Sequence, residues 1–261
     1  MPNLSTTLRL YATCGREAVS TARRSPLAVL FLAAAFLVYS LVGVVVAPLG
    51  LLGSLLLGLL QAFLVGWYLA LVRHALHHRR PLTGGELRDR AGALFRETLS
   101  LLFLFSIGTM LLSTGSPMLP LVAVPAASVL FNAAPEVLYQ GRSHGLEILG
   151  DAWEFIRENG PEWLAVNAVI AVGFGGVRAA LTGGADLSDG LIALQLFGPW
   201  FGFLGLPAWG TSGFGLVRGV VAGLFLGLLG HLVMLFRGAL FLQLSSGNRR
   251  VRAFRARAGG G

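Results

Sequence analysis

The side chains with chemistry to offer are the ionisable and amide groups set inside otherwise apolar runs. Asn132 and Glu136 lie in the later half of one run, Asn167 in the next, and His231 and Arg237 in the last. Ionisable groups at membrane depth are costly unless they face the protein interior and pair. Glu136 is therefore expected to balance His231 or Arg237 in an inward-facing polar pocket. The plainer reading is hydrogen bonding between packed helices, with Arg237 reaching for the surface. Arg178 and Arg218 fall near the opposite face, where a guanidinium meets anionic headgroups or snorkels to water, and Asp186 or Asp189 offers either a partner.

Two other constellations carry less. His74 and His78 are four residues apart, with His77 adjacent, and Glu86 or His144 could complete a metal site with them. The surrounding arginines repel a cation, so no metal and no cofactor is expected. Gly210-Thr211-Ser212-Gly213 places a serine before His231, but nineteen helical positions separate the two by ~28 Å. A nucleophile and its base need ~3 Å. Ser212 is better read as a helix cap. With no nucleophile–base pair or carboxylate cluster in the pattern, enzymatic activity is not expected.

The elements that must hold these groups are membrane helices. Apolar residues make up 55% of the 261 positions and charged residues 12%, against about 25% charged in soluble domains. All twenty basic residues are Arg. They cluster beside apolar runs, as orientation signals and headgroup contacts do, and no recognition motif points to nucleic acid. Cys14 is the one cysteine, so no intramolecular disulfide forms. Arg9 interrupts the place where a leader's apolar run would be, so no cleaved signal peptide is expected.

In chain order, 4–24 reads as an amphipathic helix lying at the headgroups, with Leu8, Tyr11, Ala12, Val19 and Ala22 on its apolar face. Spans follow at about 26–47 and 51–73, joined by Ala47-Pro48-Leu49-Gly50, with Gly53, Gly58 and Gly66 for close packing. Thr83-Gly84-Gly85-Glu86 has capping-box spacing and starts a helix over 84–96, whose apolar face is Leu87, Ala91, Leu94 and Phe95. Spans at about 97–114 and 120–140 come next, the latter kinked by Pro125 and Pro135. An acidic amphipathic helix at 143–158 stops at Asn159-Gly160, and Pro161 starts a fifth span to 181. The last span, within Thr211–Gly247, carries Gly215, Gly219, Gly223 and Gly227 at the four-residue spacing that brings membrane helices together backbone to backbone. The run 191–210 crosses, re-enters or lies at the interface; its Gly, Pro and aromatic content favours the latter two.

Six spans leave every arginine except Arg178 and Arg218 on one side. The expected fold is thus an all-α polytopic bundle of six spans in three hairpins, each preceded by a cytoplasmic amphipathic helix. Residues 1–25 are the interfacial helix, 26–247 the bundle and 248–261 a basic cytoplasmic tail. The segment Ala152-Trp153-Glu154-Phe155-Ile156-Arg157-Glu158-Asn159, and the basic helix exit followed by Pro81-Leu82-Thr83-Gly84-Gly85-Glu86-Leu87, resemble polytopic bacterial proteins related to the glycerophosphodiester phosphodiesterase membrane domain. That resemblance implies a bacterial inner-membrane protein without the family's soluble catalytic barrel, and it brings no catalytic residues. The function expected is a non-enzymatic scaffold or lipid-handling component with both termini cytoplasmic. The alternative is a small-molecule or ion transporter using the inner polar pocket. Expected partners are anionic lipid headgroups, with a second copy or another membrane protein on the glycine face.

Overall fold

The computed structural model describes residues 4–78, 80–115, 126–127, 129–141, 143–182 and 213–246. Among them are eight α-helices: α1 (Leu4–Arg24), α2 (Pro26–Val46), α3 (Leu51–His77), α4 (Gly84–Asp89), α5 (Phe95–Gly115), α6 (Ala134–Gln140), α7 (Glu147–Thr182) and α8 (Gly213–Ser245). Among the described residues, three segments are long and apolar enough to cross a membrane: Pro26–Leu49, Leu51–His77 and Gly227–Ser245, of 24, 27 and 19 residues. Helical rise makes them roughly 28–40 Å long, against a hydrocarbon core of about 30 Å.

The first hairpin forms as its sequence dictates. Pro26 occupies the first turn of α2, where its missing N–H is no loss. A 3-10 turn at Ala47–Leu49 ends on Gly50 at φ +56°, a conformation that glycine adopts without a steric penalty. Gly53 then lies tight against the Val46 carbonyl, and a side chain at Gly66 would come within 2.8 Å of the Leu94 carbonyl oxygen. Gly58 has nothing within 4 Å of where a Cβ would be, so it does not serve close packing as expected.

α3 and α8 form the axis. α8 packs on α1, α2, α3, α6 and α7; α3 packs on α1, α2, α5, α6 and α8. Their pairing is parallel in register, with Tyr68 beside His231 and Leu76 beside Gly238. Large apolar side chains such as Leu41, Val44, Leu51, Leu55, Phe103, Met110 and Val172 stand exposed on the outer faces. An aqueous surface rarely tolerates so extensive an apolar belt.

Several expected elements are arranged differently. The apolar face read for α1 packs only in part: Tyr11 and Ala22 lie against the core, Leu8, Ala12 and Val19 are exposed, and Cys14, Ala18 and Thr21 are buried, α1 lying against α8. Small side chains win there because they allow close approach to α8. The helix expected over 84–96 ends at Asp89, because Gly92 turns the chain at φ +75° before α5 begins. The capping box itself is present: Thr83 Oγ1 accepts from the Glu86 N–H, and Glu86 Oε2 accepts from the Thr83 N–H. The fourth span is not continuous through Pro135. Residues 131–133 form a turn, closed by the Ala134 N–H donating to the Phe131 carbonyl, and Pro135 lies in the first turn of α6.

Asn159-Gly160 does not stop a helix. α7 runs unbroken for 36 residues with Pro161 inside it. Aromatic packing on both sides of the proline holds it: Phe155 lies 4.4 Å from Phe241, and Trp163 lies 5.2 Å from Phe155 between ring centroids. The Asn159 side chain donates to the Phe155 carbonyl within the same turn. The expected acidic stripe is solvent-facing, and Ile148, Ala152, Phe155 and Ile156 are buried opposite it. Residues 116–125, 191–210 and 248–261, with Asp186 and Asp189, lie outside the described residues. The first three glycines of the ladder are helical, and Gly227 is buried.

Candidate functional site

Four of the five core residues singled out by the sequence fall into two buried clusters. In the first, Arg237 from α8 meets Glu136 from α6. Arg237 Nε donates to Oε1 at 2.8 Å and Nη2 to Oε2 at 2.9 Å, a bidentate pair. Nη2 also donates to the Asn132 carbonyl at 2.6 Å. The Trp163 ring lies beneath the guanidinium at 5.2 Å, and its indole N–H donates to Asn132 Oδ1 at 3.0 Å. Glu136 is 0% and Arg237 3% exposed. Charge, hydrogen bonds and ring face are all matched, as a buried pair requires. Asn167 is buried one turn from Trp163 and donates to that residue's carbonyl at 2.8 Å.

His231 belongs to a second cluster and does not contact Glu136. Its Nδ1 is 2.8 Å from the Tyr68 hydroxyl and its Nε2 is 3.3 Å from Ser25 Oγ. Ser25 directs its hydroxyl proton to the Thr21 carbonyl at 2.9 Å. The hydrogen-bond network thus makes Ser25 Oγ the acceptor and His231 Nε2 the donor, with Tyr68 donating to Nδ1. A serine nucleophile would need the reverse arrangement at Nε2, so the cluster ties the residue that precedes α2 to α3 and α8 rather than activating a hydroxyl.

A third cluster lies where α1 and α3 end. Thr21, Arg24, Ser25, Leu71, His74, His78, Arg80 and Leu82 are among the residues lining a recess there. The His74 and His78 rings stack at 4.4 Å and 13°. Arg80 pairs with Glu86 at 2.5 Å. Hydrogen bonds from Thr83, the backbone N–H first, hold the Glu86 carboxyl below the usual carboxylate range. His144, the other candidate ligand, lies 3.7 Å from Glu97 instead. Among the described residues no group of three or more His, Cys, Asp or Glu could hold a metal ion.

Arg178 and Arg218 are placed on α7 and α8, and their side chains lie outside the described residues. Sequence reasoning missed Ser25, Tyr68 and Trp163. Each is unremarkable within its own helix and acquires a role only from a helix distant in the chain. The amphipathic elements gather at one end of the bundle. The Trp67 indole donates to the Leu87 carbonyl at 2.8 Å, the Tyr11 hydroxyl to the Glu162 carbonyl at 2.6 Å, and Phe155 packs on Phe241. No protein-family model, curated protein or solved structure matches the chain.

Proposed function

We propose that the protein is a six-span, non-enzymatic scaffold of a bacterial inner membrane, both ends cytoplasmic, whose collared end engages anionic lipid. The observation that carries this reading is the gathering of α1, α4 and the first half of α7 around the C-terminal ends of α3 and α8. Amphipathic helices beside clustered arginines suit a negatively charged leaflet. The closed Glu136–Arg237 cluster supports a scaffold over a transporter, because its donors and acceptors are engaged with one another rather than facing a substrate path. The likeness of 152–159 to phosphodiesterase-associated membrane domains supports the same class.

Purification from native membranes, with analysis of the retained lipid, tests the reading. Anionic lipid enriched over the bulk membrane is expected. Retained lipid that mirrors the bulk composition overturns lipid handling. Substrate flux into proteoliposomes that Glu136→Gln abolishes without unfolding overturns the scaffold in favour of transport.

A further inference from the structure

The outer face of α7 is unlike the rest of the collared end. Glu147, Asp151, Glu154 and Glu158 follow one another at spacings of four, three and four, so they form one row along the helix. All four are exposed, while Ile148, Ala152, Phe155 and Ile156 are buried on the opposite side. Leu146 and Trp153, 70% and 45% exposed, stand beside the row. Few neighbouring groups answer its charge. Arg157 lies 3.6 Å from Glu154, and the Ser143 hydroxyl donates to Asp151. The Glu147 and Glu158 carboxylates have no ion pair or hydrogen bond among the described residues. Four carboxylates against one guanidinium leave the face negative.

Such a face repels an anionic leaflet and suits a cationic occupant with apolar side chains of its own. The chain carries one. Residues 248–261 include Arg249, Arg250, Arg252, Arg255 and Arg257, with Val251 and Phe254 between them and no acid. They follow α8, which ends at Ser245 beside the acidic helix: Phe241 packs on Phe155 at 4.4 Å, and Leu244 in the last turn is buried. Fully extended, 248–261 reaches up to about 46 Å. The row from Glu147 to Glu158 is about 17 Å long, on a helix about 10 Å across. The segment is therefore long enough to round α7 and run along the row.

We propose that the arginine-rich segment 248–261 docks on the acidic outer face of α7, its guanidiniums on the carboxylate row and Val251 and Phe254 against Leu146 and Trp153. Docked there, it withholds five arginines from lipid headgroups and neutralises a face that the leaflet repels. This latch does not depend on the collared end engaging lipid, because both of its parts belong to the chain.

Limited trypsin digestion of the full-length protein in dodecyl maltoside, followed site by site by mass spectrometry, tests the latch. Cleavage after Arg250, Arg252 and Arg255 is expected to run about tenfold faster in Glu147→Gln/Glu154→Gln/Glu158→Gln, the size that a few exposed ion pairs supply together. Salt gives a readout on the unaltered protein that no variant's folding can disturb. At about 1 M, where the Debye length is about 3 Å, the same sites are expected to open to a similar degree, relative to a free peptide of the 248–261 sequence. Equal cleavage of variant and unaltered protein, or a salt effect no larger than that on the free peptide, overturns the latch. Protection that appears only when phosphatidylglycerol is added places the segment on lipid and overturns it too. Protection that fades as the protein is diluted assigns the row to another copy's segment, and overturns docking within one chain.

Discussion

Replacing the Glu136 carboxylate by an amide keeps its shape and leaves the Arg237 guanidinium buried without a counter-charge. Loss of one partner of a buried pair costs about 3 kcal/mol or more, whereas replacing both by apolar groups is near neutral. Glu136→Gln is therefore expected to lower stability in detergent unfolding by about that amount, and Glu136→Leu/Arg237→Met to recover most of it. Cys14 gives a second residue-scale test. Burial first, and Glu17 second, raise its thiol from 9.0 to about 11. The fold thus favours the neutral thiol, and this contribution to stability is complete below pH 9 and lost as pH rises toward 11. Maleimide should accordingly leave Cys14 unmodified at neutral pH until the chain is unfolded in SDS, which mass spectrometry can follow. The Glu136–Arg237 pairing was one of two that the sequence allowed, because two buried opposite charges seek each other. The choice of Arg237 over His231 was not legible, since it depends on where α6 begins after the turn at 131–133.

Glycine spacing along α3 identified residues suited to close packing without saying which of them a neighbour approaches. The backbone at Leu94–Phe95 approaches Gly66 and nothing approaches Gly58. Gly66→Ala is expected to cost about 1–3 kcal/mol through overpacking. Gly58→Ala should be neutral or slightly stabilising, since alanine favours a helix by up to about 1 kcal/mol. Thermal unfolding of the two variants side by side measures the contrast. The same limit explains α7. Asn159-Gly160-Pro161 is a local stop signal, and only the aromatic packing of Phe155, Trp163 and Phe241, invisible from within the segment, carries the helix through it. Where the signal was itself local, as in the Thr83–Glu86 capping box or Pro26 opening α2, expectation and structure coincide.

Across the molecule, hydropathy led to six expected spans, of which three, Pro26–Leu49, Leu51–His77 and Gly227–Ser245, are long and apolar enough to cross a membrane among the described residues. A single cysteine introduced at Gly84 should be shielded from impermeant reagents outside intact cells and react only after permeabilisation. Labelling from outside would invert the orientation and remove the collared end from the anionic leaflet. The native Cys14, buried against α8, leaves such a measurement nearly free of background. What the sequence did not show was how the helices distribute their partners. α8, the last of the described helices, touches helices from both the first and the later parts of the chain. That arrangement follows from three-dimensional packing of small and aromatic side chains, which spacing along one helix does not encode.

The Arg237–Glu136 pair has a consequence for biogenesis. The two residues are separated by 101 positions, so the carboxylate leaves the ribosome well before its partner is made. A lone guanidinium deep in a helix is a poor substrate for release into lipid. α8 is best handed laterally from the translocon onto helices already waiting beside it, with Glu136 supplying the place where its charge is welcome. A nascent chain truncated before α8 would hold an unanswered acid for the cell's quality control to find.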